Sequence, residues 1–409
     1  MNRLAIFFTS ALCTASISAA AIEAPVGQPS IQTGTDLVNE KDDSTRFMVT
    51  CDSRGSSNGV NSAILAEIVQ ATLEENVDFI LFPGDLVTGS SDSTILESEL
   101  LQWRSIMQPV YDAGIGVYPC RGNHDADNKA VWDNVFSGPY ALPDNGPSGE
   151  DNITFSFTHN NIFVVGLDLY TQTHRINQAW LDKQLAANMQ PHVFVFAHEP
   201  AFKVRHRDCL DDYPDDRNTF WNSVAAEGGR TYFCGHDHFY DHARLDDGDG
   251  DPSNDLHQLV VGVAGAPLVS DASYNGNNGS WTPQRLWHDH EIGYVLVEID
   301  GFSVTMTWKH RIAEGVYKAT GDVWTYMVSE NSCCVGVRGN IDGDQSDKLD
   351  SADVTYLVDY LFLGGPPPPC PEEGNIDGIM YAGGPIDVAD LTYLVAYLFH
   401  GSPAPPPCP

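Results

Sequence analysis

Short apolar runs that end in polar clusters recur along the chain. Arg46-Phe47-Met48-Val49-Thr50-Cys51 breaks into Asp52-Ser53-Arg54-Gly55, Phe79-Ile80-Leu81-Phe82 closes on Gly84-Asp85, and Gly116-Val117-Tyr118-Pro119-Cys120 on Gly122-Asn123-His124-Asp125. Val193 to Ala197 delivers His198, and Thr231-Tyr232-Phe233-Cys234 delivers Gly235-His236-Asp237-His238. Such runs, bounded by turn residues, read as buried strands. Between the first of them, Ile64, Leu65, Ile68, Val69 and Leu73 recur at helical spacing, and Trp103, Ile106 and Val110 mark one face of a helix over about Leu96 to Tyr111. Strand, helix, strand predicts an α/β sheet, in which ligands bind beyond the carboxyl ends of the strands. Further strands are expected at Ile153–Phe157, Ile162–Leu167, Leu259–Val263, Tyr294–Ile299 and Ser303–Trp308, with a short helix over Trp180–Leu185 and the body closing near Met327.

Regions of other character flank this body. Arg3 precedes an apolar run from Leu4 to about Ala15, and Ser18 to Ala21 offer small residues for cleavage, so residues 1–21 read as a secretory signal peptide. The run falls short of the roughly 20 apolar residues that span a bilayer. Residues 22–44 are polar, hold Pro25 and Pro29, and read as a linker. The body is then 45–330 and the tail 331–409, and the chain is expected to be exported, secreted or held at the cell surface. A net charge of -35 over 409 residues lacks the basic footprint of a nucleic-acid-binding protein, while 42% hydrophobic residues suffice for a sizeable core. Of nine cysteines, Cys13 leaves with the signal, and the even remainder in an exported protein suggests disulfides. Cys333, Cys334, Cys370 and Cys408 are grouped in the tail, and their pairing stays open.

Asp52, Asp85, Asn123, His198, His236 and His238 together offer carboxylates, an amide oxygen and imidazoles, the donors that a pair of divalent ions roughly 3.5 to 4 Å apart requires. A lone Asp or His at a strand end is ordinarily a turn former; an ordered set of them is not. Read as motifs, Gly84-Asp85, Gly122 to Asp125, His198 and Gly235 to His238 resemble the calcineurin-like metallophosphoesterase superfamily, which includes the purple acid phosphatases and many bacterial phosphodiesterases. The resemblance covers about Thr45 to Tyr326 and implies a four-layer α/β/β/α sandwich. It implies that Asp85 bridges both metals, that Asn123, His198 and His236 hold one, and that Asp52 and His238 hold the other. It places His124 against the substrate; Asp125 is expected to orient His124 or, equally, to cap the next turn. Manganese, zinc or iron would suit these donors.

The sequence departs from the family pattern at one metal. Asp52-Ser53-Arg54 stands where the family usually has Asp-x-His, and Thr88 stands where purple acid phosphatases place a tyrosine. Asn61 and His174 are candidates to complete that position. Arg54 cannot coordinate a cation, but its planar donor fork matches phosphate oxygens, the alternative being a structural salt bridge. The implied reaction is hydrolysis of a phosphate ester by metal-activated water, diesters slightly favoured over monoesters. A competing reading is a non-catalytic, metal-stabilised surface binding or scaffold protein, and a third treats the tail as the main function with the body as its cargo.

An acidic loop after the last histidines, with Asp247, Asp249, Asp251 and Asp255 at alternating positions, resembles a calcium loop whose twelfth position is Gln258. In the tail, Gly339-Asn340-Ile341-Asp342-Gly343 returns as Gly374-Asn375-Ile376-Asp377-Gly378, and Asp353-Val354-Thr355-Tyr356-Leu357-Val358 returns as Asp390-Leu391-Thr392-Tyr393-Leu394-Val395. This duplication resembles the dockerin module over about Gly339 to Cys408, which implies an all-α unit of calcium loops and helices that binds a cohesin-like protein through residues 339–408. Asn340, Asp342, Asp344 and Asp353 are the candidate calcium ligands of the first copy, whereas Ile379 stands at a ligand position in the second. The alternative is a proline-braced tail that docks on its own body or serves surface sorting.

Overall fold

The computed structural model of the chain describes residues 44–55, 59–270, 273–328, 334, 337–344, 348–378 and 386–406. The signal-peptide and linker assignments, Cys333, Ile379 and Cys408 lie outside these residues.

The first half of the body is β1 (Thr45–Val49), α1 (Ser62–Glu75), β2 (Phe79–Phe82), α2 (Ser93–Asp112), β3 (Gly116–Pro119), α3 (Lys129–Val135), β4 (Phe155–His159) and β5 (Ile162–Gly166). Then come α4 (Gln178–Ala186), β6 (His192–Phe196), α5 (Pro214–Ala226), β7 (Thr231–Cys234), β8 (Tyr240–Asp246) and β9 (Leu256–Val261). The body ends with β10 (Thr282–Asp289), β11 (Gly293–Asp300), β12 (Ser303–Ala313) and β13 (Val316–Met327). One sheet has the order β13-β12-β11-β1-β2-β3 and the other β10-β8-β9-β7-β6-β5-β4. Within them β1, β2 and β3 run parallel, as do β5, β6, β7 and β9.

Strand alternation sorts side chains between layers. On β1, Phe47 points at the second sheet and meets Phe194 and Phe233 edge-on at 5.1 and 6.3 Å. Its neighbour Met48 points the other way and takes the Thr72 hydroxyl of α1 at 3.3 Å. On β6, Phe194 and Phe196 belong to the core between the sheets, whereas Val193 and Val195 pack with Trp180 of α4 and Phe220 and Trp221 of α5. Two sheets face each other with helices on their outer sides, a mixed α/β arrangement consistent with the expected sandwich. Asn61 caps α1 through Ile64 N and donates to Gly265 O, so it is a helix cap and not a completing metal ligand.

A buried network joins the sheets at one edge. His242, expected at the surface, is buried; its Nδ1 meets Asp322 Oδ2 at 2.8 Å and its Nε2 meets His257 Nδ1 at 2.7 Å. Trp324 of β13 stacks on His257, with ring centroids 3.6 Å apart. Burial first, then the nearby charges of His242, Arg244 and Arg230, push His257 well below the ordinary histidine range. A depressed folded pKa contributes stability that is present above the unfolded value, about 6.5, and lost as pH falls toward the folded one. The thermal midpoint of chelated protein is therefore expected to drop between pH 7 and pH 5, and the drop to be shallower in a His257→Phe variant; equal slopes would contradict this.

The tail contains α6 (Ser351–Val358), α7 (Pro371–Gly374) and α8 (Val388–His400). Ile341 and Leu357 of the first copy share one buried cluster with Ile376 and Leu394 of the second, so neither copy closes its core alone. Asp350 and Asp387 cap α6 and α8 in matching capping boxes with Asp353 and Asp390. Cys334 and Cys370 are each disulfide-bonded. In the body Cys51, Cys120, Cys209 and Cys234 are buried free thiols, against the disulfides expected from an even count. No helix among the described residues is long and apolar enough to cross a membrane.

Candidate metal centre

The five polar clusters all lie at carboxyl ends of parallel strands, Asp52 after β1, Asp85 after β2, Asn123 and His124 after β3, His198 after β6, and His236 and His238 after β7. The chain turns sharply there. Asp52, Asp85 and His236 are held in the left-handed region, at φ 62°, 52° and 68°. Such backbone in non-glycine residues persists only where its surroundings over-determine it. The glycines beside them allow the loops to touch. A Cβ on Gly122 would lie 2.1 Å from Asp85 Oδ1, and one on Gly235 would lie 2.2 Å from Asp52 Oδ2.

Four donors converge on one position. His198 Nε2 lies 3.3 Å from Asp85 Oδ1 and 3.2 Å from Asn123 Oδ1, and His236 Nδ1 lies 3.1 Å from Asn123 Oδ1. His198 Nδ1 donates to Pro83 O at 2.8 Å, which fixes Nε2 as the nitrogen presented to the centre. Asp85, Asp52 and His198 offer ligand atoms within 4.8 Å of one another. The second position is less complete. His238 Nε2 stands 3.4 Å from Asp52 Oδ1, and its Nδ1 donates to Pro267 O at 3.0 Å. Asp52 Oδ2 accepts from His236 N, while Oδ1 is buried without a hydrogen-bond partner. Two buried carboxylates and an orphaned oxygen among imidazoles call for a cation, so these residues fit a metal site, and the donor types suit zinc, iron or manganese.

Charge follows the same logic. Burial opposes ionisation of Asp52, but His238 and His198 outweigh it and hold the carboxyl well below its usual range. Burial likewise opposes charge on His236, yet Asp208 and the surrounding carboxylates raise it to about 9. Binding a cation here therefore has to displace protons.

His124 and Asp125 differ from the expectation that one orients the other. His124 Nδ1 donates to Thr88 O, leaving Nε2 partly exposed and 3.9 Å from Asp85 Oδ2. Asp125 is buried and accepts from Gly122 N, Leu86 N and Val87 N at 2.8, 3.2 and 3.3 Å. It ties the β2 and β3 loops together and does not bond His124, because three amides consume its oxygens. A backbone carbonyl does the orienting, a role that no side-chain motif announces. Arg54 faces the centre, its Nε 3.6 Å from Asp85 Oδ2. His174 pairs with Glu199 at 2.9 Å and does not complete the Asp52 position.

One rim segment borders the centre without any sequence motif of its own. Asp237 accepts from Arg205 N and from both His206 N and its ring, pinning the loop so that His206 lies 4.5 Å from the His236 ring and Asp208 lies 3.5 Å from His236 Nε2. The middle residue of Gly235 to His238 was the available signal.

The calcium assignments fare differently. In the acidic loop Asp246, Asp247 and Asp255 come together, whereas Asp249 and Asp251 are fully exposed and accept from backbone amides two residues on. Gln258 lies buried in β9, bonded to Phe202 N and O. In the tail, Asp353 accepts from Ile341 N, Asp342 N and Asp350 N at the start of α6. Asn340, Asp342 and Asp344 do face one another, with Asp344 N donating to both Asn340 Oδ1 and Asp342 Oδ1.

Residues 49–240 match the sequence model of the calcineurin-like phosphoesterase family. Among solved structures, a purple acid phosphatase from yellow lupin (Lupinus luteus) seeds is similar at TM-score 0.53 and 15% identity, covering 70% of this chain and 54% of that one. The chain thus spans about half the length of that phosphatase. PhoD is similar at TM-score 0.51 and 11% identity, covering 70% of each chain. Identities this low speak for the fold alone. No curated protein matches the chain.

Proposed function

We propose that this chain, which carries a calcineurin-like metallophosphoesterase domain, is an exported phosphoric ester hydrolase that acts on phosphodiesters in preference to monoesters. The family implies a dinuclear metal centre and a phosphoester substrate. The observation that carries the reading is the convergence of Asp85, Asn123, His198 and His236 on one position, with Asp52 and His238 beside it. When bound, the ions supply Lewis acidity toward a phosphoryl oxygen and a water acidic enough to attack at neutral pH.

The chain's own residues account for the rest. His124, oriented by the Thr88 carbonyl, presents Nε2 to the substrate side, and in its protonated form donates to the leaving oxygen. Asp208, half-exposed at the rim, is held ionised below the usual carboxylate range by its contact with His236. A negative rim disfavours the dianionic monoester more than the monoanionic diester, which supports the diester preference. The test is hydrolysis of a chromogenic phosphodiester and its monoester analogue after chelation and addition of manganese, zinc or iron, with Asn123→Ala as control. Metal-dependent turnover that the variant lacks is expected. A folded protein inactive with every metal would favour the non-catalytic binding module instead, a reading motivated by Arg54 in place of the usual histidine.

The tail is proposed to tether the enzyme to a cohesin-like partner in a calcium-dependent manner, on the strength of its duplicated loops and shared core. Capture of the full chain by an immobilised cohesin in calcium, and its release by chelator, is the expected outcome. Failure to bind in saturating calcium would sink the tether.

A further inference from the structure

The two halves of the metal centre are unequal in donors, and a cationic side chain lies against the poorer half. Asp85 Oδ1, Asn123, His198 and His236 surround one position. Among the described residues, the other has Asp52 Oδ1 and His238 Nε2 of its own, together with the remaining oxygen of Asp85. That remaining oxygen, Oδ2, is the atom the Arg54 guanidinium approaches, at 3.6 Å from Nε. Among the described residues Arg54 Nε is buried there with no hydrogen-bond partner.

We infer that Arg54 is a resident cation that stands in for one of the two metal ions, so that the chain retains one ion tightly, at Asp85, Asn123, His198 and His236. This rests on the metallophosphoesterase reading and refines its stoichiometry. Guanidinium is charged at all working pH and cannot donate a lone pair. It therefore neutralises Asp85 Oδ2 without offering a ligand, and it repels a dication at the Asp52 position. Two buried carboxylates, Asp52 and Asp85, are balanced by Arg54 and a single dication with one positive charge to spare; a second dication would add two more to a water-poor site. At a separation of about 4 Å that repulsion weakens the second ion by about thirtyfold even at the dielectric of water, and by far more in a partly buried site. The planar fork of guanidinium donors matches phosphoryl oxygens, so charge stabilisation by a metal at this position is exchanged for charge stabilisation by a side chain.

The experiment is a metal count. Full-length protein is loaded with manganese, passed through gel filtration and assayed for metal per chain, beside an Arg54→His variant that puts a neutral nitrogen donor in place of the cation. About one ion is expected in the parent and about two in the variant. A parent that retains two ions, or none, overturns the inference, as does a variant that gains nothing. Should Arg54→His fail to fold, calorimetric titration of Arg54→Leu with manganese decides the matter: a second binding event at least tenfold tighter than in the parent supports displacement by charge, and an unchanged isotherm refutes it. The count is independent of turnover. One ion in a protein inert toward every ester would remove the proposed activity and leave this inference standing, and two ions in an active enzyme would do the reverse.

Discussion

An Asp85→Asn variant is expected to lose retained metal and to turn over phosphate esters at least ~10³-fold more slowly. The magnitude follows from its position. Changing a residue that merely supports a ligand costs about 10- to 100-fold, and Asp85 offers both of its oxygens to the centre. Oδ1 faces His198 at 3.3 Å and accepts from His124 N at 3.1 Å, and Oδ2 faces Arg54 and His124. Asparagine keeps the shape and tolerates the left-handed backbone that this residue adopts at φ 52°. What it removes is the negative charge that holds cations in a buried site. The variant should therefore fold, with an unchanged far-ultraviolet circular dichroism spectrum, and fail in metal retention and rate together. A variant that keeps both its metal and its rate would show that the centre lies elsewhere.

A Gly122→Ala variant is expected to be among the most damaging single methyl groups in the body. Its Cβ would fall 2.1 Å from Asp85 Oδ1 and 2.3 Å from Asp85 N, inside any permissible contact. The β2 loop cannot retreat easily, because Asp125 holds Leu86, Val87 and Gly122 by their amides. Overpacking of this kind costs about 1–3 kcal/mol, which in a domain of this size lowers the thermal midpoint by several degrees at about 2–4 °C per kcal/mol. Asp85 has to move, so metal retention should fall with it. Differential scanning calorimetry and a metal count check both parts; a midpoint and stoichiometry equal to the parent's would mean that the two loops are looser than their packing indicates.

The contrast between these two residues marks what could be read early. Asp85 announces itself, since a carboxylate after a buried run is visible in the sequence, and the same holds for Asn123, His198, His236 and His238. The alternation of apolar strand and polar end is a local pattern, and it carries the α/β class and the location of the site with it. The duplicated tail is equally local, and its shared core of Ile341, Leu357, Ile376 and Leu394 follows the repeat position for position. Asp125 is the opposite case. Its place beside His124 suggested a pair, yet its carboxylate was taken by amides of a loop nearly forty residues earlier in the chain.

By itself, then, the sequence determined the succession of strands that each end in a polar cluster, the donor types gathered there and the duplication of the tail. Folding alone decided which nitrogen of His198, His124 and His238 faces the centre, because carbonyls of Pro83, Thr88 and Pro267 choose it and a carbonyl has no residue identity to read. It decided also that Asp246 rather than Asp249 joins Asp247 and Asp255, and that Arg54 lies against Asp85. Charges and turns act through space at a few ångströms, whereas sequence records only neighbours along the chain.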